Sequence, residues 1–148
     1  MRKPTVAVLA ALAVGAALSG CMSTIDYKYT YDPAANFAGS KTYAWVAPSL
    51  SATPHALLED YVQFNADRAL EAKGWKKVSG QPELLFAIGL EFDTYDGYQL
   101  RAVTLRASRR DTGEPLWRGS ALGRIDGNAA SPDLQDAVNK ILSTFPPK

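Results

Sequence analysis

One cysteine, Cys21, and one histidine, His55, are the whole stock of thiol and imidazole in this 148-residue chain. A lone thiol cannot close an internal disulfide. A lone histidine forces any Ser-His-Asp or Cys-His machinery to be built around His55; it stands at the start of a helical pattern, where a solvated loop histidine is expected. Zinc recruits three or four Cys or His ligands, which the chain does not supply. Charge of one sign is also missing: 16 basic and 15 acidic side chains leave a formal +1, so no pull toward nucleic acid follows. No glycine-rich phosphate loop precedes a helix, because Gly113, Gly119 and Gly123 fall in a hairpin and its strand. The segment Asp93-Thr94-Tyr95-Asp96-Gly97 carries two carboxylates, fewer than a calcium loop sets in order, and reads as a turn. No metal or cofactor is therefore expected. Repeats and low-complexity blocks are absent. The apolar run from Val6 to Leu18 covers 13 residues, short of the about 20 that a membrane-spanning helix needs.

That short run has a context. Arg2 and Lys3 precede it and the small residues Ser19 and Gly20 follow, the layout of a secretory signal. The stretch Leu18-Ser19-Gly20-Cys21 resembles the lipobox of bacterial lipoproteins. The resemblance implies diacylglycerol in thioether linkage to Cys21, cleavage before that residue, and acylation of the freed amine. A thiol suits the role because its thiolate is a strong nucleophile. A conventional signal followed by a stray free cysteine is the alternative, and in an exported chain such a thiol invites intermolecular pairing. Residues 1–20 are thus expected to be a removed lipoprotein signal peptide, 21–24 a lipidated N-terminus with a short linker, and 25–148 a single domain. Met22 occupies the place where an aspartate would hold an enterobacterial lipoprotein in the inner membrane. By that analogy the expected address is the periplasmic face of the outer membrane, since two or more acyl chains anchor stably. Loss of Arg2 and Lys3 takes the formal charge from +1 to −1.

Periodicity supplies the architecture. Ile25, Tyr27, Tyr29 and Tyr31 alternate with polar residues, the signature of a half-buried strand, and Asp32-Pro33 ends it. "SKTYAWV" (40–46) predicts a second strand, rich in aromatic and β-branched residues. A helix is predicted from a Thr53 cap and Pro54 through Lys73. Asp60, Gln63, Asp67 and Glu71 make its polar face, and Gly74 and Trp75 stop it. Three strands follow: Glu83 to Phe92, Leu100 to Arg109, and Leu116 to Ile125, the last two joined by "DTGEP". A closing helix is predicted from a Ser131 cap and Pro132, with Leu134, Ala137, Val138, Ile141, Leu142 and Phe145 on one stripe. Two helices bury their stripes against a common sheet, so the expected fold is an α+β two-layer sandwich. A mixed, mostly antiparallel sheet of about five strands would carry both helices on one face.

Taken in order, "DYKYTYDPAANFAGSKTYAW", "AKGW", "PELLFAI", "DTGEPLWRGSALG" and "ILSTFPP" resemble the bacterial lipoprotein family catalogued as domain of unknown function 4136. The resemblance spans roughly Ile25 to Pro147. It implies an exported, usually lipidated, compact α/β domain, and it carries no activity and no catalytic residue over to this chain. "LRAVTLRASRRD" departs from it in holding more arginine than the aliphatic and acidic pattern of that region.

Those arginines are the candidate site. Of eight in the chain, Arg101, Arg106, Arg109, Arg110, Arg118 and Arg124 lie within one hairpin, opposed there only by Asp111 and Glu114. If the chain turns through Asp111 to Gly113, Ala107 faces Trp117, and Val103, Leu105, Ala107, Trp117, Gly119 and Ala121 share the buried face. The same register sets Arg106 directly opposite Arg118 on the other face. Like charges so placed destabilise a strand pair, which points to a neutralising partner. Arginine grips phosphate or carboxylate with two donors at once, so an anionic envelope component or an acidic protein is the expected partner, and nucleic acid is not. The bland reading is that the arginines keep a solvent-facing sheet soluble. Trp45, Trp75 and Trp117 read as core anchors. Tyr27, Tyr29 and Tyr31 either pack in the sheet or meet lipid headgroups. The functional expectation is a non-catalytic, lipid-anchored envelope protein, a binding or assembly module. A lipid-anchored hydrolase using carboxylates such as Glu91 and Asp93, or a small-ligand carrier, is the alternative.

Overall fold

In the computed structural model, residues 24–39, 41–47, 55–95, 99–128 and 131–148 are described. Cys21 and the signal segment, together with Thr53, Pro54 and Asp96, lie outside them. In chain order the elements are β1 (Asp26–Tyr31), β2 (Thr42–Trp45), α1 (Ala56–Ala72), β3 (Lys76–Lys77), β4 (Leu84–Asp93), β5 (Gln99–Arg109), β6 (Pro115–Ile125) and α2 (Pro132–Leu142). The strands form one sheet in the order β1-β6-β5-β4-β2-β3, and both helices pack on one face of it. This is the α+β two-layer sandwich. The sheet has six strands rather than about five, because Lys76 and Lys77 pair with Thr42 and Tyr43. Two residues are too few to leave an alternation in the sequence. β2 runs parallel to β3 and β4, with α1 as the crossover between them, and the remaining pairs are antiparallel.

The helix ends follow local chemistry. In α2, the Ser131 side chain accepts from the Asp133 N–H at 3.1 Å and Pro132 takes the first turn. At the end of α1, Gly74 adopts φ 83°, and the Gly74 and Trp75 N–H groups reach Glu71 O (2.9 Å) and Leu70 O (3.0 Å). That is the expected left-handed stop. The start of α1 differs. The helix begins at Ala56, with His55 at the cap position and no side-chain cap bond. The His55 ring stacks on Phe92 at 3.8 Å, which packs this end against β4.

The core lies between the helices and the sheet. Val103, Leu105 and Ala107 pair with Ala121, Gly119 and Trp117, as the sequence register expects, after a register shift between Ala107 and Ser108, and all six are buried. A Cβ on Gly119 would stand 2.6 Å from Trp117 Cζ2 and 2.7 Å from Ile141 Cγ2. Glycine is what lets α2 lie this close to β6. Phe145 lies beyond the end of α2 rather than on its stripe, yet it is fully buried. Its ring meets Trp75, Phe86, Trp117 and Phe37 at centroid distances of 5.1, 5.2, 5.1 and 5.4 Å. Trp75 and Trp117 are core anchors; Trp45 is only half-buried.

Asp67 corrects the expected polar face of α1. Its Oδ1 accepts from the Tyr43 hydroxyl (2.8 Å) and the Trp45 indole N–H (2.7 Å), and its Oδ2 from Lys77 (2.9 Å). The carboxylate thus ties α1 to β2 and β3. Burial, and then this hydrogen bond, hold the Tyr43 hydroxyl above its ordinary pKa. Leu57 and Phe64 of the same helix, the latter three residues before Asp67, are exposed at 83% and 57%.

Candidate functional site

The sheet face away from the helices positions the candidate site. Strand residues alternate between faces, so the partners of the core residues' neighbours define this surface row by row. One row reads Thr30, Arg118, Arg106, Ala87 across β1, β6, β5 and β4; the next reads Lys28, Ser120, Thr104, Gly89; the third reads Asp26, Leu122, Ala102, Glu91. Charge is therefore sorted. The basic row and the acidic row are separated by a row whose middle is made of hydroxyls. Ser120 and Thr104 are buried, and their hydroxyls bond each other at 2.9 Å. Small residues flanked by longer ones sink below the surface here without any helix above them.

Arg106 stands directly opposite Arg118, as the sequence register implies, and both side chains are exposed. Among the described residues neither has a carboxylate within ion-pair distance, whereas Arg101, Arg109 and Arg110 each have one. The Arg106 guanidinium reaches over Gly89, where a Cβ would lie 3.9 Å from its Nη2. Beside Arg118 opens a cleft of about 280 Å³ lined by Lys28, Tyr29, Thr30, Arg118, Ser120 and Leu122. Lys28 pairs with Asp26 at 3.6 Å, with both side chains about two-thirds exposed at 68% and 65%.

The fold does not gather the six hairpin arginines into one cluster. Arg101 and Arg109 sit eight residues apart on β5, roughly 26 Å along a strand. At one end Arg101 Nη2 pairs with Asp93 Oδ2 at 3.1 Å, and Arg124 adds its charge to the same carboxylate. At the hairpin end Arg109 pairs with Glu114 at 3.5 Å and Arg110 with Asp111 at 3.3 Å. Only Arg106 and Arg118 are left facing each other. The lipidation candidate, Cys21, lies outside the described residues.

The cleft brings in residues that the hairpin alone did not suggest. Lys28 and Thr30 come from β1, some ninety residues earlier than Arg118, and only the β1–β6 pairing sets them beside it. Their signal in the sequence was limited to the polar positions of an alternating strand. The tyrosines of that strand point to the helix side. Tyr27 is half-buried against the core; Tyr29 and Tyr31 are exposed at 56% and 42%, with rings 6.5 Å apart and nearly parallel.

The carboxylates considered for hydrolysis are differently placed. Glu91 is exposed at the end of the acidic row. Asp93 accepts from the Tyr95 N–H at 3.0 Å and from Arg101, and these bonds hold its carboxyl below the ordinary value. A general acid at neutral pH needs the opposite shift. No group of three or more His, Cys, Asp or Glu suited to a metal occurs among the described residues.

Solved structures share this fold. A PDZ domain protein from Parabacteroides distasonis superposes with a TM-score of 0.63 at 14% identity, over 85% of this chain and 36% of that one. The present chain thus spans about a third of the Parabacteroides protein. PelC from Paraburkholderia phytofirmans, a dodecamer, superposes with a TM-score of 0.52 at 16% identity, over 81% of this chain and 96% of that one. A second PelC crystal form agrees, at 17% identity and the same TM-score. At such identities the likeness is one of fold alone. No curated protein matches the chain. The family model for the domain of unknown function DUF4136 matches residues 27–147, nearly the whole of the described domain, and the chain belongs to that family.

Proposed function

We propose that this chain is a non-catalytic, lipid-anchored protein of the cell envelope, held by Cys21 at the periplasmic face of the outer membrane. It acts there as a binding or assembly module whose product is a contact. The contact surface is the open sheet face. The observation that carries this reading is the pair Arg106 and Arg118, opposed across two strands with no carboxylate of their own among the described residues. Opposed like charges cost a sheet stability, and an anionic partner turns that cost into attraction. PelC, of the same fold, is a dodecamer, so this architecture is compatible with assembly. No helix among the described residues is long and apolar enough to cross a membrane, which leaves attachment to the acylated terminus in this reading.

The experiment begins with the anchor. In intact cells, Cys21→Ser should yield a product lacking the acyl groups by mass, and that product should leave the detergent phase. A wild-type mass without acyl groups, with no change in partitioning for the variant, would overturn the lipoprotein reading. Crosslinking of wild-type chain in the same cells then names what the open face touches.

A further inference from the structure

We infer that the cleft between β1 and β6 is a site for a phosphate monoester, and that the monoester it takes belongs to a lipid headgroup of the membrane holding the chain. This rests on the reading of the chain as lipid-anchored and gives its contact surface a defined chemistry.

Arg118 faces Thr30 and Lys28 faces Ser120, so the two cations are diagonal neighbours on adjacent strands. Diagonal positions lie about 7–8 Å apart, a span that long side chains cover. The cleft opens between them, with the Ser120 hydroxyl already engaged by Thr104 and the exposed Thr30 in its lining. A planar carboxylate offers two oxygens, which a single guanidinium fork satisfies. A phosphate monoester offers three oxygens and up to two charges. It can occupy the Arg118 fork and still present an oxygen to the Lys28 ammonium or the Thr30 hydroxyl. Arg106, opposite Arg118 but outside the cleft lining, adds a third positive charge to the same face. Among the described residues Asp26 forms an exposed pair with Lys28, and such pairs are weak and easily exchanged.

The tether selects the source. From Cys21 to the first residue of β1, Asp26, the backbone spans at most roughly 18 Å. The strand beside the cleft is therefore held close to the headgroups. Tethering replaces free concentration with an effective concentration in the millimolar range, enough to fill a shallow, open cleft. A soluble phosphate gains nothing from the anchor.

The test uses the lipidated chain reconstituted into three kinds of vesicle: one with phosphatidate, one with a fatty-acid carboxylate at equal surface charge, and one of uncharged glycolipid. Phenylglyoxal modification of Arg118 is followed by peptide mass, with Arg109 as internal control. The expected result is modification slowed about fivefold or more on phosphatidate vesicles alone, with Arg109 unchanged and most of the protection lost in Lys28→Gln with Thr30→Val. Equal protection on carboxylate vesicles overturns the phosphate assignment. Protection by inorganic phosphate added to glycolipid vesicles at the headgroup concentration overturns the lipid source. Arg118 unprotected on every vesicle overturns both. If that happens while Cys21→Ser still releases the chain and the arginine pair still governs retention on envelope fractions, the anchored contact module survives and the phosphate site does not.

Discussion

Phe86, Ala107 and Trp117 lie side by side across β4, β5 and β6 and close against Phe145 from the helix layer; one step along the same strands, Ala87, Arg106 and Arg118 lie side by side with no layer above them. The two rows share a backbone and differ only in which way they point. In the covered row the large residues are fixed by their neighbours, down to Gly119 two residues along β6, where a single added carbon collides with Trp117 and Ile141. Even the Trp117 indole N–H is buried there without a hydrogen-bond partner among the described residues, so ring packing outweighs its desolvation. On the open side the large residues are held by nothing comparable, and two like charges face each other. A residue that stability does not require, and slightly disfavours, is the better place to look for function.

The covered side should be the fragile one. Ile141→Asp puts a carboxylate on a side chain that is 2% exposed. The cost is several kcal/mol against a typical total of about 5–15, so the domain should unfold or be degraded. A soluble variant with a normal thermal melt would mean that α2 is not docked as described. Gly119→Ala comes next. Its methyl group forces Trp117 or α2 to move, at about 1–3 kcal/mol, visible as a lowered Tm with the fold retained. An unchanged Tm would remove the close approach of α2 to β6. Asp67→Ala strips the acceptor from the Tyr43 hydroxyl and the Trp45 indole, at about 1–3 kcal/mol. The exposed Asp60→Ala on the same helix should change stability by no more than about 0.5 kcal/mol. Equal effects at the two positions would return Asp67 to the solvent face.

The same contrast explains what could be read from the sequence. The covered side was legible because its rules are local: Leu134 to Leu142 repeats at helical spacing, Ser131 and Gly74 punctuate, and the hairpin through Gly113, with one register shift between Ala107 and Ser108, brings Ala107 opposite Trp117. The same hairpin also gave Arg106 opposite Arg118. The rest depends on contacts between distant segments. Asp67 has helical spacing that places it with Asp60 and Glu71, and only β2 and β3 arriving alongside turn it inward. β3 is too short to carry a period. Lys28 reaches Arg118 only because the first strand pairs with the sixth, and no local pattern states that. The six arginines were adjacent in sequence terms, but an extended strand separates what a sequence window joins, and three of them find carboxylates at the two ends.

The central claim is that the open face is a contact surface that the fold can do without. The most direct measurement is Arg106→Ala with Arg118→Ala, scored for Tm and for retention on envelope fractions in one preparation. Removing two opposed like charges should leave Tm unchanged or raise it slightly, by about 0.2–1 kcal/mol in stability. Retention should fall, and added salt should weaken the wild type in the same way. Retention and crosslinked partners equal to wild type, in a variant that melts normally, would contradict the account and leave the two arginines as a solvated face.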